Sequence, residues 1–203
     1  FKQLLVGQRV CELGAGLGLC SAVISQFKPL PARLLCTDGD ERVLPLLKAN
    51  IEANATGGGR TEDGDGAFSH VEVRRLLWGE PLAAGLEGSF DCVLAADVVW
   101  DVRPPRASSR PGFSANDTAD LNSMQLASLF ETAVSLLDPA RPEACLIIAY
   151  EPRDRMALSY LSSKMQAAAF VAGLRCVRKL ERRLDGRWKP DWKTDLCVFV
   201  RKE

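Results

Sequence analysis

Three glycines at alternate positions follow an apolar, acid-bearing run in Val10-Cys11-Glu12-Leu13-Gly14-Ala15-Gly16-Leu17-Gly18-Leu19. The order reads as a buried strand, a tight turn and a helix start, with a backbone bare enough for a ligand to come close. The third glycine falls one residue earlier than in the dinucleotide fingerprint Gly-x-Gly-x-x-Gly, giving Glu-x-Gly-x-Gly-x-Gly. A glycine-rich turn without a ligand is the plain alternative. Asp38 lies twenty residues past Gly18, near where an acid accepts hydrogen bonds from ribose hydroxyls in nucleotide-binding sheets. Its competing role is a helix cap, for which Asp40, just before Glu41, is better placed. Trp78 ends one expected strand, Asp97 lies near the end of the apolar run 90–99, and Trp100 follows three residues after Asp97.

Other chemistries find little support. The single histidine, His70, has no Cys or His neighbour in sequence, which argues against a zinc site or a Ser-His-Asp triad and for a solvated or capping role. No metal site is expected. The seven cysteines are an odd number without a Cys-x-x-Cys pair. Five of them sit in apolar, strand-like runs, where a free thiol behaves as a small core residue, and a reducing intracellular setting suits them. The formal net charge is zero, so no global field points to nucleic acid or an anionic membrane, and no apolar run is long enough to span a bilayer.

The elements that must position these residues alternate between strand and helix, which predicts a mainly parallel sheet with helices on both faces. Strands are expected at 9–13, 33–37, 71–78, 90–99 and 144–150, and helices at 19–27, 41–54, 121–137 and 155–171. In the second helix Val43, Leu44, Leu47 and Ile51 form an apolar stripe, and Pro45 is tolerable only near its first turn. Residues 57–66 are glycine- and acid-rich and read as a loop; residues 102–119 read as an irregular insertion. Two further strands, 174–183 and 195–200, flank the turn pair Asp185-Gly186. Joined without a helix, they must pair antiparallel. The expectation is an α/β, Rossmann-like, seven-stranded sheet, mostly parallel with a C-terminal antiparallel hairpin. Its 203 residues form a single domain. The chain begins at Phe1 and is read as lacking an N-terminal segment.

The glycine motif resembles the first motif of class I S-adenosylmethionine (AdoMet) methyltransferases. With it in order come Thr37-Asp38, Val43-Leu44-Pro45-Leu46-Leu47, Asn50-Ile51-Glu52-Ala53-Asn54, Leu77-Trp78-Gly79, and Phe90-Asp91-Cys92-Val93-Leu94-Ala95-Ala96-Asp97-Val98-Val99-Trp100. Together they resemble the eukaryotic seven-strand protein-lysine methyltransferases, methyltransferase family 16. The last stretch is similar to that family's Asp-x-x-Tyr/Phe signature, with Trp100 in the aromatic place.

The resemblance implies AdoMet as cofactor, bound by Glu12, Gly14, Ala15, Gly16, Gly18, Asp38, Trp78 and Ala96. Backbone amides at residues 14–16 would meet the methionine portion, and the following helix start would favour its carboxylate. Trp78 would lie along adenine, although a tryptophan there can equally be plain core. Ala96 is small enough to leave room for the adenine or sulfonium edge. Asp97 and Trp100 would be the catalytic pair acting on a lysine side chain of a protein substrate. A lysine amine must be neutral to attack, and deprotonating it at pH 7 costs about 4.6 kcal/mol. A nearby carboxylate favours the charged amine, so Asp97 is expected to dock and orient the lysine while its proton goes mainly to water. Trp100 would pack on the methylene stem and hold the cationic head. The competing roles are a loop cap for Asp97 and a shield over the sheet end for Trp100. Tyr150, Glu151 and Arg153 are expected near the acceptor channel, Arg153 equally as a surface ion-pair partner. The resemblance also implies a tryptophan-containing element ahead of the first strand that helps cover the cofactor.

Two alternatives remain open. One is methylation of a nucleic acid or small molecule on the same fold; the other is a degenerate, non-enzymatic binding module. Base-amino methyltransferases carry Asn/Asp-Pro-Pro-aromatic after the fourth strand. Here that place reads Asp97-Val98-Val99-Trp100, so a nucleic-acid partner is disfavoured. The expected location is cytoplasmic or nuclear, without membrane association.

Overall fold

Alternating burial along the strands is what divides this molecule into two cores. A computed structural model describes residues 2–55, 71–99, 115–150, 157–183 and 193–202. Its strands are β1 (Arg9–Leu13), β2 (Arg33–Asp38), β3 (Val71–Arg75), β4 (Cys92–Ala96), β5 (Cys145–Tyr150), β6 (Leu174–Arg183) and β7 (Lys193–Arg201). The helices are α1 (Leu19–Ile24), α2 (Leu44–Ala55), α3 (Ala115–Leu136) and α4 (Ala157–Val171).

The strands form one sheet in the order β3-β2-β1-β4-β5-β7-β6. All pairs from β3 to β5 are parallel, whereas β7 runs antiparallel to both β5 and β6. Because side chains alternate across a strand, Val10, Leu34, Leu94 and Ile147 pack on one face with Ala22 and Ile24 of α1 and Leu47 and Ile51 of α2. Cys11, Leu35, Val93, Leu146 and Ile148 pack on the other with Leu129 and Phe130 of α3 and Met165 of α4. The chain steps outward from β1 to β3 and then returns to place β4 on β1's other side, so the strand order reverses between β1 and β4. Ligands of open α/β sheets bind beyond the carboxyl ends of the strands at such a reversal.

The expected class, strand order along the chain and terminal hairpin are all present. Several boundaries differ for physical reasons. The third strand ends at Arg75, not Trp78, and the Leu76 amide donates instead to the Asp38 carbonyl at 3.0 Å. The fourth is Cys92–Ala96, shorter than 90–99, because Asp97 takes φ 53° and breaks the extended backbone. The second helix starts at Leu44, with Pro45 in the first turn, where no amide is needed. The third starts at Ala115, inside the stretch 102–119 expected to be irregular; from 115 to 136 the sequence has neither proline nor glycine to interrupt it. The loop 57–66, His70 and the turn pair Asp185-Gly186 lie outside the described residues.

Candidate active site

The glycine turn leaves β1 beside the carboxyl ends of β2 and β4. Gly14, Gly16 and Gly18 all have positive φ, at 66°, 54° and 83°. Space is a second constraint at two of them, where a neighbouring side chain would have to move. A Cβ on Gly14 would lie 2.6 Å from Val98 Cγ1, and one on Gly18 would lie 2.4 Å from Leu47 Cδ1. Gly16 differs: among the described residues a Cβ there would meet nothing within 4 Å, which leaves the space over the middle of the turn open to them.

Neighbouring elements fix the turn by hydrogen bonds. The Ala15 amide donates to the Thr37 carbonyl at 2.8 Å, and the Gly16 amide to Asp38 Oδ2 at 2.9 Å. Gly18 closes the turn through its amide to the Ala15 carbonyl at 2.8 Å. From α2, Asn50 Nδ2 donates to the Leu17 carbonyl at 2.9 Å. Two amides expected to face the cofactor, those of Ala15 and Gly16, are thus engaged inside the protein, as amides in a partly buried turn must be. What the turn offers at its open face is therefore bare backbone rather than these donors. The following helix, α1, has only six residues, so its dipole is short.

Glu12 lies beneath the turn, 2 % exposed, and its carboxyl accepts a hydrogen bond from the Ser21 hydroxyl of α1. Burial pushes this carboxyl above its usual range against the hydrogen bonds from Ser21 and Cys20. The same surroundings raise Cys36 to about 12 and Cys20 to about 11, burial being the main cause for both. Thr37 completes the support, its hydroxyl donating to the Glu12 carbonyl at 2.7 Å. Glu12 is thus placed to brace the turn from below.

Asp38 ends β2 half-buried and uses both oxygens: Oδ2 takes the Gly16 amide and Oδ1 the Asp40 amide, each at 2.9 Å. Asp40 does not cap α2 directly. It forms its own turn four residues earlier, accepting from the Arg42 amide at 3.0 Å, and the Arg42 side chain holds its carboxyl down at about 2. Trp78 lies three residues past β3, half-buried, with Cζ2 at 3.5 Å from a Cβ placed on Gly14. Gly79 follows at φ 83°, its amide donating to the Thr132 hydroxyl of α3 at 3.0 Å.

Ala96 ends β4, and Asp97 then turns into the left-handed region, exposed, with its amide donating to the Ala149 carbonyl at 2.7 Å. Such a conformation in a residue other than glycine is uncommon and concentrates at functional sites. The turn drops Val98, 7 % exposed, onto Gly14. Val98 thereby joins Gly14 and Trp78 into one packed floor. Trp100, Glu151 and Arg153 lie outside the described residues. Tyr150 is corrected: it is 1 % exposed within the core and does not line an open channel.

The structure thus brings the glycine turn, Asp38, Trp78, Ala96 and Asp97 to one end of the sheet. Sequence reasoning missed the supports Ser21, Thr37, Asn50 and Val98. Thr37, Asn50 and Val98 stand in the quoted motif stretches with no supporting role assigned to them there, and Ser21 carries no signal.

This strand order, with a glycine turn at the reversal, defines the Rossmann-like fold of AdoMet-dependent methyltransferases. A SAM-dependent methyltransferase from Aquifex aeolicus superimposes with a TM-score of 0.61 at 13% identity, covering 97% of this chain and 84% of that one. The profile of the lysine methyltransferase family matches residues 2–104, and the chain belongs to that family. Protein N-lysine methyltransferase METTL21A of Danio rerio is 34% identical over 124 residues, 60% of this chain and 51% of the relative. The calmodulin-lysine N-methyltransferase of Arabidopsis thaliana is 32% identical over 94 residues, 46% of this chain and 28% of the relative. The chain therefore spans about half or less of the length of these curated relatives.

Proposed function

We propose that this chain is the catalytic domain of an enzyme transferring the methyl group of AdoMet to a lysine side chain of a protein. One observation carries the reading. An exposed acid, Asp97, is held at φ 53° where the strand order reverses, beside a glycine turn with open space above Gly16. Family membership supports the same reaction.

The residues fit the nucleoside. The bare backbone at Gly16 admits it closely, and the Asp38 oxygens, each already accepting one amide, keep lone pairs for ribose hydroxyls. Trp78 presents a ring edge beside Gly14 for the adenine. When bound, AdoMet supplies an electrophilic methyl group on a sulfonium. Asp97 receives the incoming lysine as the charged amine and aligns it, which favours docking and opposes proton loss. The proton then leaves to water at the mouth of the site, and the neutral amine is already oriented for attack. In this reading Trp100 packs on the lysine stem, a role that rests on its place in the sequence alone.

Among the described residues no helix is long and apolar enough to cross a membrane. None of the seven cysteines is in a disulfide, which favours a reducing compartment, cytoplasm or nucleus, as the working location; subcellular fractionation checks it. The activity is tested by incubating the full-length protein with a cell lysate and tritiated AdoMet, then hydrolysing the products in acid. Labelled methyl-lysine is the expected outcome. Label confined to nucleic acid, or no transfer at all, would overturn the reading.

A further inference from the structure

The face of α2 that meets the glycine turn is built from Leu47, Asn50 and Ile51, one helical turn of side chains. Leu47 and Ile51 are buried and pack against Gly18, where an added Cβ would stand 2.4 Å from one and 3.3 Å from the other. These two supply the adhesion between helix and turn. Asn50 adds something of a different kind: a single directional bond, 2.9 Å from Nδ2 to the carbonyl of Leu17, across 33 residues of sequence. Its own carbonyl accepts from Asn54 Nδ2 at 2.8 Å, one helical turn further on.

We propose that Asn50 is a positioning residue for the nucleoside site, tethering the Leu17 carbonyl so that the turn holds its open face. The proposal rests on the AdoMet reading above and goes beyond it by assigning a role to a residue away from the expected ligand contacts. The turn is held on one flank by Asp38 at the Gly16 amide and on the other by Asn50 at the Leu17 carbonyl. Gly16 lies between the two, and its φ of 54° is the geometry that keeps the space above it free. With the Asn50 bond gone, the Leu17–Gly18 peptide, which carries that carbonyl, keeps only the bond from the Gly18 amide to the Ala15 carbonyl and can tilt, disturbing Gly16 beside it. Leu47 and Ile51 would still hold α2 in place. The loss would fall on ligand affinity rather than on folding or on the chemical step.

The test uses the full-length protein and three variants, Asn50→Ala, Asn50→Asp and Asn50→Gln. Calorimetry with S-adenosylhomocysteine should show about fivefold weaker binding for Asn50→Ala, the scale of one net hydrogen bond. Asn50→Asp should lose about tenfold or more, because it sets a carboxylate against the Leu17 carbonyl. Asn50→Gln keeps the donor on a half-exposed helix face and should return to within about twofold of the parent. The AdoMet KM should follow these affinities while kcat and the melting temperature stay near the parent's. Hydrogen exchange on the unliganded protein should show faster exchange of the Gly16 and Gly18 amides in Asn50→Ala. Parent-like affinity and exchange in Asn50→Ala would overturn the tether and leave the AdoMet reading standing. So would a fall in melting temperature that Asn50→Gln fails to reverse, since that marks a structural residue. If the unsubstituted protein itself binds neither AdoMet nor S-adenosylhomocysteine, the cofactor reading fails, and this proposal with it.

Discussion

The two ends of the sheet are built on opposite principles. At the amino ends of the strands, charge does the holding. The Arg9 guanidinium bonds Asp91 at 2.5 Å and 3.1 Å and Asp138 at 2.7 Å, while Arg141 reaches Asp91 from the other side at 2.7 Å. This stitches the start of β1 to the residue before β4 and to the loop before β5. Burial alone would push the Asp91 carboxyl up, but hydrogen bonds from the Arg9 side chain and backbone and from Arg141 win and bring it to about 2. At the carboxyl ends, backbone conformation does the holding. Three glycines and Asp97 sit at positive φ, and most of the bonds run to backbone amides and carbonyls. One end can absorb a lost charge only at the expense of folding; the other can change its chemistry and still fold. An ion network needs complementary charges held together, whereas a reaction site needs space and an acid with lone pairs to offer.

Substitutions that separate folding from chemistry probe this contrast most sharply. The backbone terms of Asp97→Gly should nearly cancel, because relief of the left-handed conformation, about 1 kcal/mol, offsets a glycine entropy cost of similar size. Methyl transfer should nevertheless fall about a hundredfold, the value of a lost charged hydrogen bond to the amine. Thermal melting beside single-turnover rates reads both quantities. A melting temperature that falls together with the rate would place Asp97 among structural residues.

The reverse pattern is expected at the opposite end. Arg9→Met should lower stability by about 2 kcal/mol, less than for a fully buried pair because Arg9 is 36% exposed. S-adenosylhomocysteine affinity should be unchanged. Denaturant titration and calorimetry on the same sample decide it.

The same network sets a pH window of slightly smaller effect. Asp91 has its carboxyl depressed in the folded protein, so its contribution is complete above the ordinary carboxylate range. It is lost as pH falls from about 4 towards about 2, an effect of at most about 2 kcal/mol before screening. Stability measured between pH 5 and pH 2 should fall more gently in Arg9→Met than in the parent. Parallel curves would show that Arg9 does not control this carboxyl.

The smallest of these effects belongs to Asp38→Asn. A carboxamide has one acceptor oxygen where the carboxylate offers two, so its NH2 must face either the Gly16 or the Asp40 amide. Nucleoside affinity should drop about tenfold, with a modest fall in melting temperature from the amide left without an acceptor. Undiminished affinity would place the ribose elsewhere.

Much of this architecture was written in local pattern. Alternating apolar runs announced the strands, and the absence of a helix between residues 174 and 200 forced an antiparallel pair. The glycine turn showed itself through composition, and Asp38 and Asp97 through their place at strand ends. The breaks were harder to read. Asp97's left-handed backbone, which ends β4 three residues before the apolar run does, has no decisive local signature, because aspartate visits that region more readily than most residues but far more often lies elsewhere. Nor could sequence spacing reveal that the Ala15 and Gly16 amides are taken up by Thr37 and Asp38, a matter of tertiary geometry. The charge network was equally hidden, since Arg9 and Asp138 are 129 positions apart and look like any surface charges.

The placement of β7 between β5 and β6 governs how the chain can be made. On the ribosome β6 emerges before β7, the strand through which it joins the sheet, and until then has mainly α4 to pack against. Until that later segment threads into the gap, β5 carries an unsatisfied ladder and β6 is an orphan ribbon. A premature stop before residue 193 therefore strips an interior plank, not a margin.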